Sequence, residues 1–215
     1  MSRRAFEVVD AFEQAVAAYT GARYAVAVDS CTNAIFLSLL WLKHVERFRP
    51  EECVVLLPKR TYVGVAQAAR NAGYRIDWDD EAWSGMYRIW TQGPTPLYDA
   101  ARRFTSGMYE PTPPGSLAAL VCVSFQANKI LPIGRGGAIL TDDLEAAEWF
   151  RRARFDGRTE GRPAGQDAFT VPGWHMYMPP DAAARGLWLM QGLAKDNPDL
   201  PNDDYPDLSR QAIFR

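Results

Sequence analysis

Residues 121–141 constrain this chain more than any other stretch. Val121, Cys122 and Val123 form an apolar run that enters Ser124 and Phe125, and Lys129 follows within an irregular segment. Gly134, Arg135, Gly136 and Gly137 come next, then a second apolar run over Ala138, Ile139, Leu140 and Thr141. The pattern predicts a buried strand, a loop carrying one lysine, a glycine turn and a returning strand. Lysine is scarce here: of 24 basic residues, four are lysine and twenty arginine. An ammonium between buried flanks is costly unless it is paired or neutralised. A Schiff base with an aldehyde cofactor is one chemistry that removes this cost. The alternative on spacing alone is a surface-loop lysine beside a hairpin.

The chain has 215 residues, 47% of them hydrophobic, and a formal net charge of -2. This length suits one or at most two domains and buries roughly 70% of the unfolded surface without staples. The charge balance gives no reason to expect nucleic acid or a membrane surface as main partner. Cys31, Cys53 and Cys122 lie in or beside apolar runs without metal-ligand spacing, so reduced buried thiols, no metal site and a cytoplasmic setting are expected. Met1 to Arg4 lead into a helix with acidic residues, which does not read as a signal peptide. No apolar run approaches the ~20 residues of a membrane span.

Along the chain, Val9, Phe12, Val16 and Tyr19 recur at helical spacing, with Gly21 as the stop. A strand is predicted over 24–28, a turn over 29–33 and a largely buried helix over 34–42. A strand over 53–57, a helix over 61–71 and a strand over 74–78 follow. Residues 79–95 are polar, aromatic and glycine-containing, and read as a loop. After the lysine hairpin, Asp142 or Asp143 caps a helix through about Phe155. Residues 156–174 read as a loop, and Pro179-Pro180 opens a last helix to about Leu193. This gives one α/β domain over 1–195 and an irregular, partly disordered polar tail over 196–215. Alternating strands and helices argue for a mostly parallel sheet flanked by helices, with the hairpin after Lys129 as an antiparallel edge element. Residues 30–32, 58–62, 99 and 124–129 all follow strands, where ligands of such sheets bind.

Four ordered motifs carry a resemblance. They are F-E-Q-A-V-A-A-Y-T-G-A-R-Y-A-V-A-V-D-S-C-T-N-A at 12–34, L-P-K-R-T-Y at 57–62, Y-D-A-A-R at 98–102 and S-F-Q-A-N-K-I-L-P-I-G-R-G-G-A-I-L-T-D-D at 124–143. Together they resemble the DegT/DnrJ/EryC1/StrS family of pyridoxal-phosphate-dependent sugar aminotransferases over roughly residues 6–195. The resemblance implies the fold-type-I large domain, with the C-terminal small domain largely missing.

It also implies roles. Lys129 is implied as the Schiff-base lysine and acid/base, and Asp99 as partner of the pyridine nitrogen, although a lone Asp after a strand also serves as a helix cap. Ser30, Thr32 and Ser124 are implied as phosphate ligands, with Cys31 in the same turn at the start of a helix, where an anion is favoured by ~0.5–2 kcal/mol. An ordinary capping turn is the alternative. Tyr62 is implied as the ring stacked on the cofactor, or is a core aromatic.

The chain departs from the family pattern in several places. Cys31 replaces a glycine and narrows the backbone freedom of the phosphate turn. Arg102 replaces a glutamine near the cofactor's phenolic oxygen, where it would lower that oxygen's pKa or bind an anionic substrate. His175 and Tyr177 stand in the loop that reaches the partner subunit's phosphate in a homodimer with a shared active site. The N-terminal arm and one strand–helix unit between Trp78 and Pro96 are absent. The run Arg151, Arg152, Arg154, Arg158 and Arg162 reads as a solvated helix C-terminus or as a grip on a phosphorylated substrate. The expected function is amino transfer from an amino acid such as glutamate to a keto-sugar nucleotide. The alternatives are another PLP reaction, decarboxylation or elimination, or a non-catalytic dimer partner.

Overall fold

A computed structural model describes residues 6–46, 52–202 and 204–214. The basic start at Met1 to Arg4 lies outside them. The elements are α1 (Glu7–Thr20), β1 (Tyr24–Val28), α2 (Cys31–Glu46), β2 (Val54–Pro58), α3 (Val63–Asn71), β3 (Arg75–Asp79), β4 (Tyr87–Thr91), β5 (Leu97–Asp99), β6 (Leu120–Ser124), β7 (Gly137–Thr141), α4 (Leu144–Ala153) and α5 (Pro180–Met190).

The strands form one sheet in the order β1-β7-β6-β5-β4-β2-β3. β2 pairs with β3 and β5 with β6 in parallel, while β4 and β7 run against both of their neighbours. It is therefore a mixed sheet in which β1, β2, β3, β5 and β6 point the same way. Period-2 alternation splits the strand side chains between two cores. Val26, Val28, Val55, Leu57, Ile89, Leu97, Cys122 and Ile139 pack under α2, α3 and α4. Ala25, Ala27, Val121, Val123, Ala138 and Leu140 pack under α1 and α5. The result is a helix–sheet–helix sandwich. The helices arise in the stretches the sequence predicts, except that α2 starts at Cys31, inside the segment read as a turn, and runs on to Glu46. The stripe of Val9, Phe12 and Val16 is buried, and Asp143 caps α4 by accepting from the Glu145 and Ala146 amides.

Three expectations are corrected. Residues 79–95 are not all loop, because Tyr87–Thr91 form β4, an interior strand between β5 and β2. The hairpin after Lys129 is not an edge element: β7 lies between β1 and β6, and β1 is the edge. Three of the five arginines of the run do not stand free at a solvated end. Arg154 is fully buried and donates to Glu13, Glu160 and the Ala27 carbonyl, while Arg151 also reaches Glu13 at 3.3 Å. Arg152 donates to the Ala168 carbonyl at 2.7 Å.

The polar tail lies against the body. The Leu200 amide donates to the Arg102 carbonyl and the Leu208 amide to the Lys59 carbonyl, both at 2.9 Å. Leu208 is buried, and two short 3-10 turns, Leu208–Arg210 and Ala212–Phe214, end the described chain.

Candidate active site

The aligned strands β1, β2, β5 and β6 all deliver their carboxyl ends to one cavity of about 460 Å³. Ser30, Cys31, Thr32, Tyr62, Asp99, Arg102, Ser124 and Lys129 line it together. His175 does not. It is itself exposed, on the 156–178 loop, with Nδ1 3.0 Å from Asp156 Oδ2 and its ring against Tyr177. Thr61, Trp83, Gln126, Asn128, Arg135 and Tyr205 also line the cavity without having been singled out. Thr61 stood inside a quoted motif, but nothing local marks Tyr205, which arrives from the tail.

One end of the cavity is the turn into α2. The Ser30 hydroxyl accepts from the Asn33 amide at 3.2 Å, an N-cap contact. Cys31 is already helical, and among the described residues only Asp156 is a non-glycine at positive φ. The cysteine therefore imposes no strain on this turn. β7 makes the close approach instead. Gly137 pairs with Val28 on one side and Ser124 on the other, and a Cβ on it would fall 2.5 Å from the Cys31 nitrogen. Only glycine lets Ser124 and the Ser30 turn converge. Asp29, a carboxylate beside this anion-favouring helix start, is bound by Arg135 at 2.7 Å and by Asn33 Nδ2 at 2.6 Å.

The opposite wall holds the carboxylate. Asp99 is buried and its Oδ1 accepts from the Ala101 amide at 2.9 Å, so it closes a turn and faces the cavity at once. Burial pushes its carboxyl above the usual range, while the Ala101 amide, Tyr87, Lys129 and Arg102 pull it back. Burial likewise pushes the Cys31 thiol well up, and Asp99 adds to this, so Cys31 is a neutral thiol.

Lys129 rides on a loop that closes on itself. Its amide donates to the Gln126 carbonyl at 3.0 Å, and the Phe125 amide to the Gly136 carbonyl at 2.9 Å. Phe125, fully buried between Phe12 and Phe104, anchors the loop into the core. Tyr62 precedes α3 and is half exposed at the mouth. Trp83 and Tyr205 stack at 6.3 Å, and Arg102 donates to the Tyr205 hydroxyl at 2.9 Å, forming a further wall.

Hydroxyls at a helix start, a buried carboxylate and a loop lysine surround one cavity at the carboxyl ends of the strands of an α/β domain. Residues 3–83 and 97–197 match the DegT/DnrJ/EryC1/StrS aminotransferase family, and the chain belongs to that family. It is 29% identical over 117 residues to an L-glutamine:2-deoxy-scyllo-inosose aminotransferase of Streptomyces fradiae, a match spanning 54% of this chain and 26% of the relative. Its fold is shared with AtS13 of Actinomadura melliaura (TM-score 0.68, 22% identity, 86% of this chain and 60% of that one). The sugar aminotransferase CalS13 of Micromonospora echinospora shares it too (TM-score 0.69, 17% identity, 86% and 60%). The chain thus spans about 60% of these solved relatives. No described helix is long and apolar enough to cross a membrane.

The family's cofactor is pyridoxal 5'-phosphate. The residues here fit it: the cavity has the volume of a small-molecule site, an amine and a carboxylate face it, and hydroxyls at a helix start form a cradle for phosphate.

Proposed function

We propose that this chain is the cofactor-binding domain of a PLP-dependent aminotransferase that moves an amino group from an amino acid to a keto sugar. Glutamate is the proposed donor and a nucleotide-linked or similarly phosphorylated keto sugar the proposed acceptor. The observation that supports this is the joint exposure of Lys129 and Asp99 to a cavity whose far end is the α2 start. Bound there, the cofactor supplies a carbonyl that lysine can engage and a ring that accepts electrons from a carbanion. Ser30, Thr32 and Ser124, with the amides at the start of α2, hold the phosphate. Asp99 keeps a proton on the pyridine nitrogen, and Tyr62 covers a ring face. Lys129 serves as nucleophile and then carries the proton between carbons. Arg102 meets the phenolic oxygen or an anionic substrate, and Trp83 and Tyr205 keep water from that side.

The domain acts as a homodimer in this reading. Trp188 on α5 and Phe169 in the 156–178 loop are 69% and 64% exposed, large apolar groups that a second copy would cover. His175, outside its own chain's cavity, would then serve the partner's phosphate. Light scattering across a dilution series tests this: a cofactor-loaded monomer at high concentration refutes the shared site.

For the chemistry, protein incubated with PLP is reduced with borohydride and mapped by mass spectrometry. The adduct is expected on Lys129, and one on Lys59 would overturn the assignment. The loaded protein is then offered a donor panel with glutamate and glutamine, the latter because the Streptomyces relative is named for it. Conversion to the pyridoxamine form, reversed by a keto-sugar nucleotide or a keto-cyclitol, establishes amino transfer. Carbon dioxide release, or product without a pyridoxamine stage, establishes a different PLP reaction.

A further inference from the structure

The family match skips residues 84–96, and β4 lies inside that gap. β4 runs antiparallel to β5, and their register sets Tyr87 directly opposite Asp99. Opposed residues on antiparallel strands share a face, with Cβ atoms ~4.5–5.5 Å apart. Tyr87 and Asp99 are both buried, 8% and 4% exposed. The Tyr87 hydroxyl oxygen lies 2.8 Å from Thr61 Oγ1. Tyr87 pulls the Asp99 carboxyl down and Asp99 pushes the phenol up, as a phenol facing a carboxylate does.

The direction of this chain of bonds follows from donor counts. An ionised carboxylate only accepts, and a phenol has one proton. A phenol facing that carboxylate turns its proton toward it, which leaves Tyr87 to accept from Thr61.

We infer that Tyr87, supported by Thr61, is a positioning residue that fixes the Asp99 carboxylate and keeps it the acceptor for a cationic ring nitrogen. The inference rests on the cofactor reading above. The other groups facing Asp99 are Cys31 from α2, with Sγ 4.0 Å from Oδ1, Cys122 from β6, Lys129 from the loop and Arg102 from the turn after β5. None of them occupies Tyr87's place across the strand pair.

The test uses the full chain loaded with PLP, titrating the bound cofactor's near-visible absorption against pH in wild type, Tyr87→Phe and Thr61→Val. Without Tyr87's hydroxyl, which pulls the Asp99 carboxyl down, Asp99 competes better for the shared proton and the ring loses positive charge. The nitrogen joining Lys129 to the cofactor then holds its proton to higher pH. Tyr87→Phe is expected to keep the Lys129 adduct, raise the titration midpoint by about one unit and lower kcat roughly tenfold with little change in KM. Thr61→Val should shift the midpoint the same way by less. An unshifted midpoint in Tyr87→Phe, or in Thr61→Val should the first variant not fold, overturns the inference while the cofactor reading stands. A wild type with no absorption band and no Lys129 adduct overturns both.

Discussion

Arg103 holds Asp199 with two hydrogen bonds, from Nε at 2.9 Å and Nη2 at 2.7 Å, and so pins the tail beside the cavity wall. This pairing lowers the Asp199 carboxyl below its ordinary 3.8, the Arg103 hydrogen bonds being the main cause. The sign follows by linkage: a depressed carboxyl contributes stability that is complete above the ordinary value and lost as pH falls through the lowered one. The protection of residues 196–202 against hydrogen exchange is therefore expected to hold down to about pH 4 and to fall below it. Asp199→Asn should show fast exchange at neutral pH with no acid step. Coincident profiles for the two proteins would show that this pair does not hold the tail.

The close approach of β7 to the Ser30 turn makes a steric prediction. A Cβ at Gly137 would meet the Cys31 nitrogen at 2.5 Å and the Ser30 carbonyl carbon at 2.6 Å, backbone atoms that cannot swing aside. Gly137→Ala should cost about 2 kcal/mol in urea unfolding and weaken PLP uptake together. Gly165→Ala, where a Cβ meets nothing within 4 Å, is the control and should alter neither.

Glu13 and Arg154 are 4% and 0% exposed, and the pair joins α1 to the end of α4 while Glu13 also accepts from the Ala27 amide at 2.8 Å. Removing one partner strands a buried charge. Arg154→Met should cost roughly 3–5 kcal/mol, whereas Glu13→Leu with Arg154→Met should recover most of it. Denaturation of the two single variants and the double variant reads the coupling, and simple additivity would argue against it.

For the carboxylate itself, Asp99→Ala should still take up PLP, weakly, but lose turnover on the order of 10³-fold. Activity within tenfold of wild type would remove Asp99 from the chemistry.

Much of this was legible in the sequence, for identifiable reasons. The helical stripe of Val9, Phe12 and Val16 and the apolar runs of β1, β2, β6 and β7 are periodic, and periodicity survives without tertiary information. The four cavity-lining segments could be named because each follows a strand of shared direction. β4 escaped because its period-2 signal spans only Tyr87 to Thr91, between glycines and a proline, and its outward residues, Arg88 and Trp90, cover each other with the guanidinium 3.7 Å from the ring centroid. Tyr205 escaped because its place depends on Arg102, a residue distant along the chain. Arg154 reads as one charge among five, and only its three-dimensional neighbours, Glu13, Glu160 and the Ala27 carbonyl, set it apart.

The reversal of β4 also bears on the order in which the molecule assembles. A parallel neighbour for β5 would have required a long crossover before any strand contact formed. Here β4 and β5 are joined by residues 92–96 alone, and a hairpin of this kind closes in roughly 1–10 μs. β5 and β6, by contrast, must wait for residues 100–119 to find their path. Contacts between near neighbours in the chain form early and speed folding. Tyr87 and Asp99 belong to that hairpin, so their apposition needs no contact with β6 or the lysine loop.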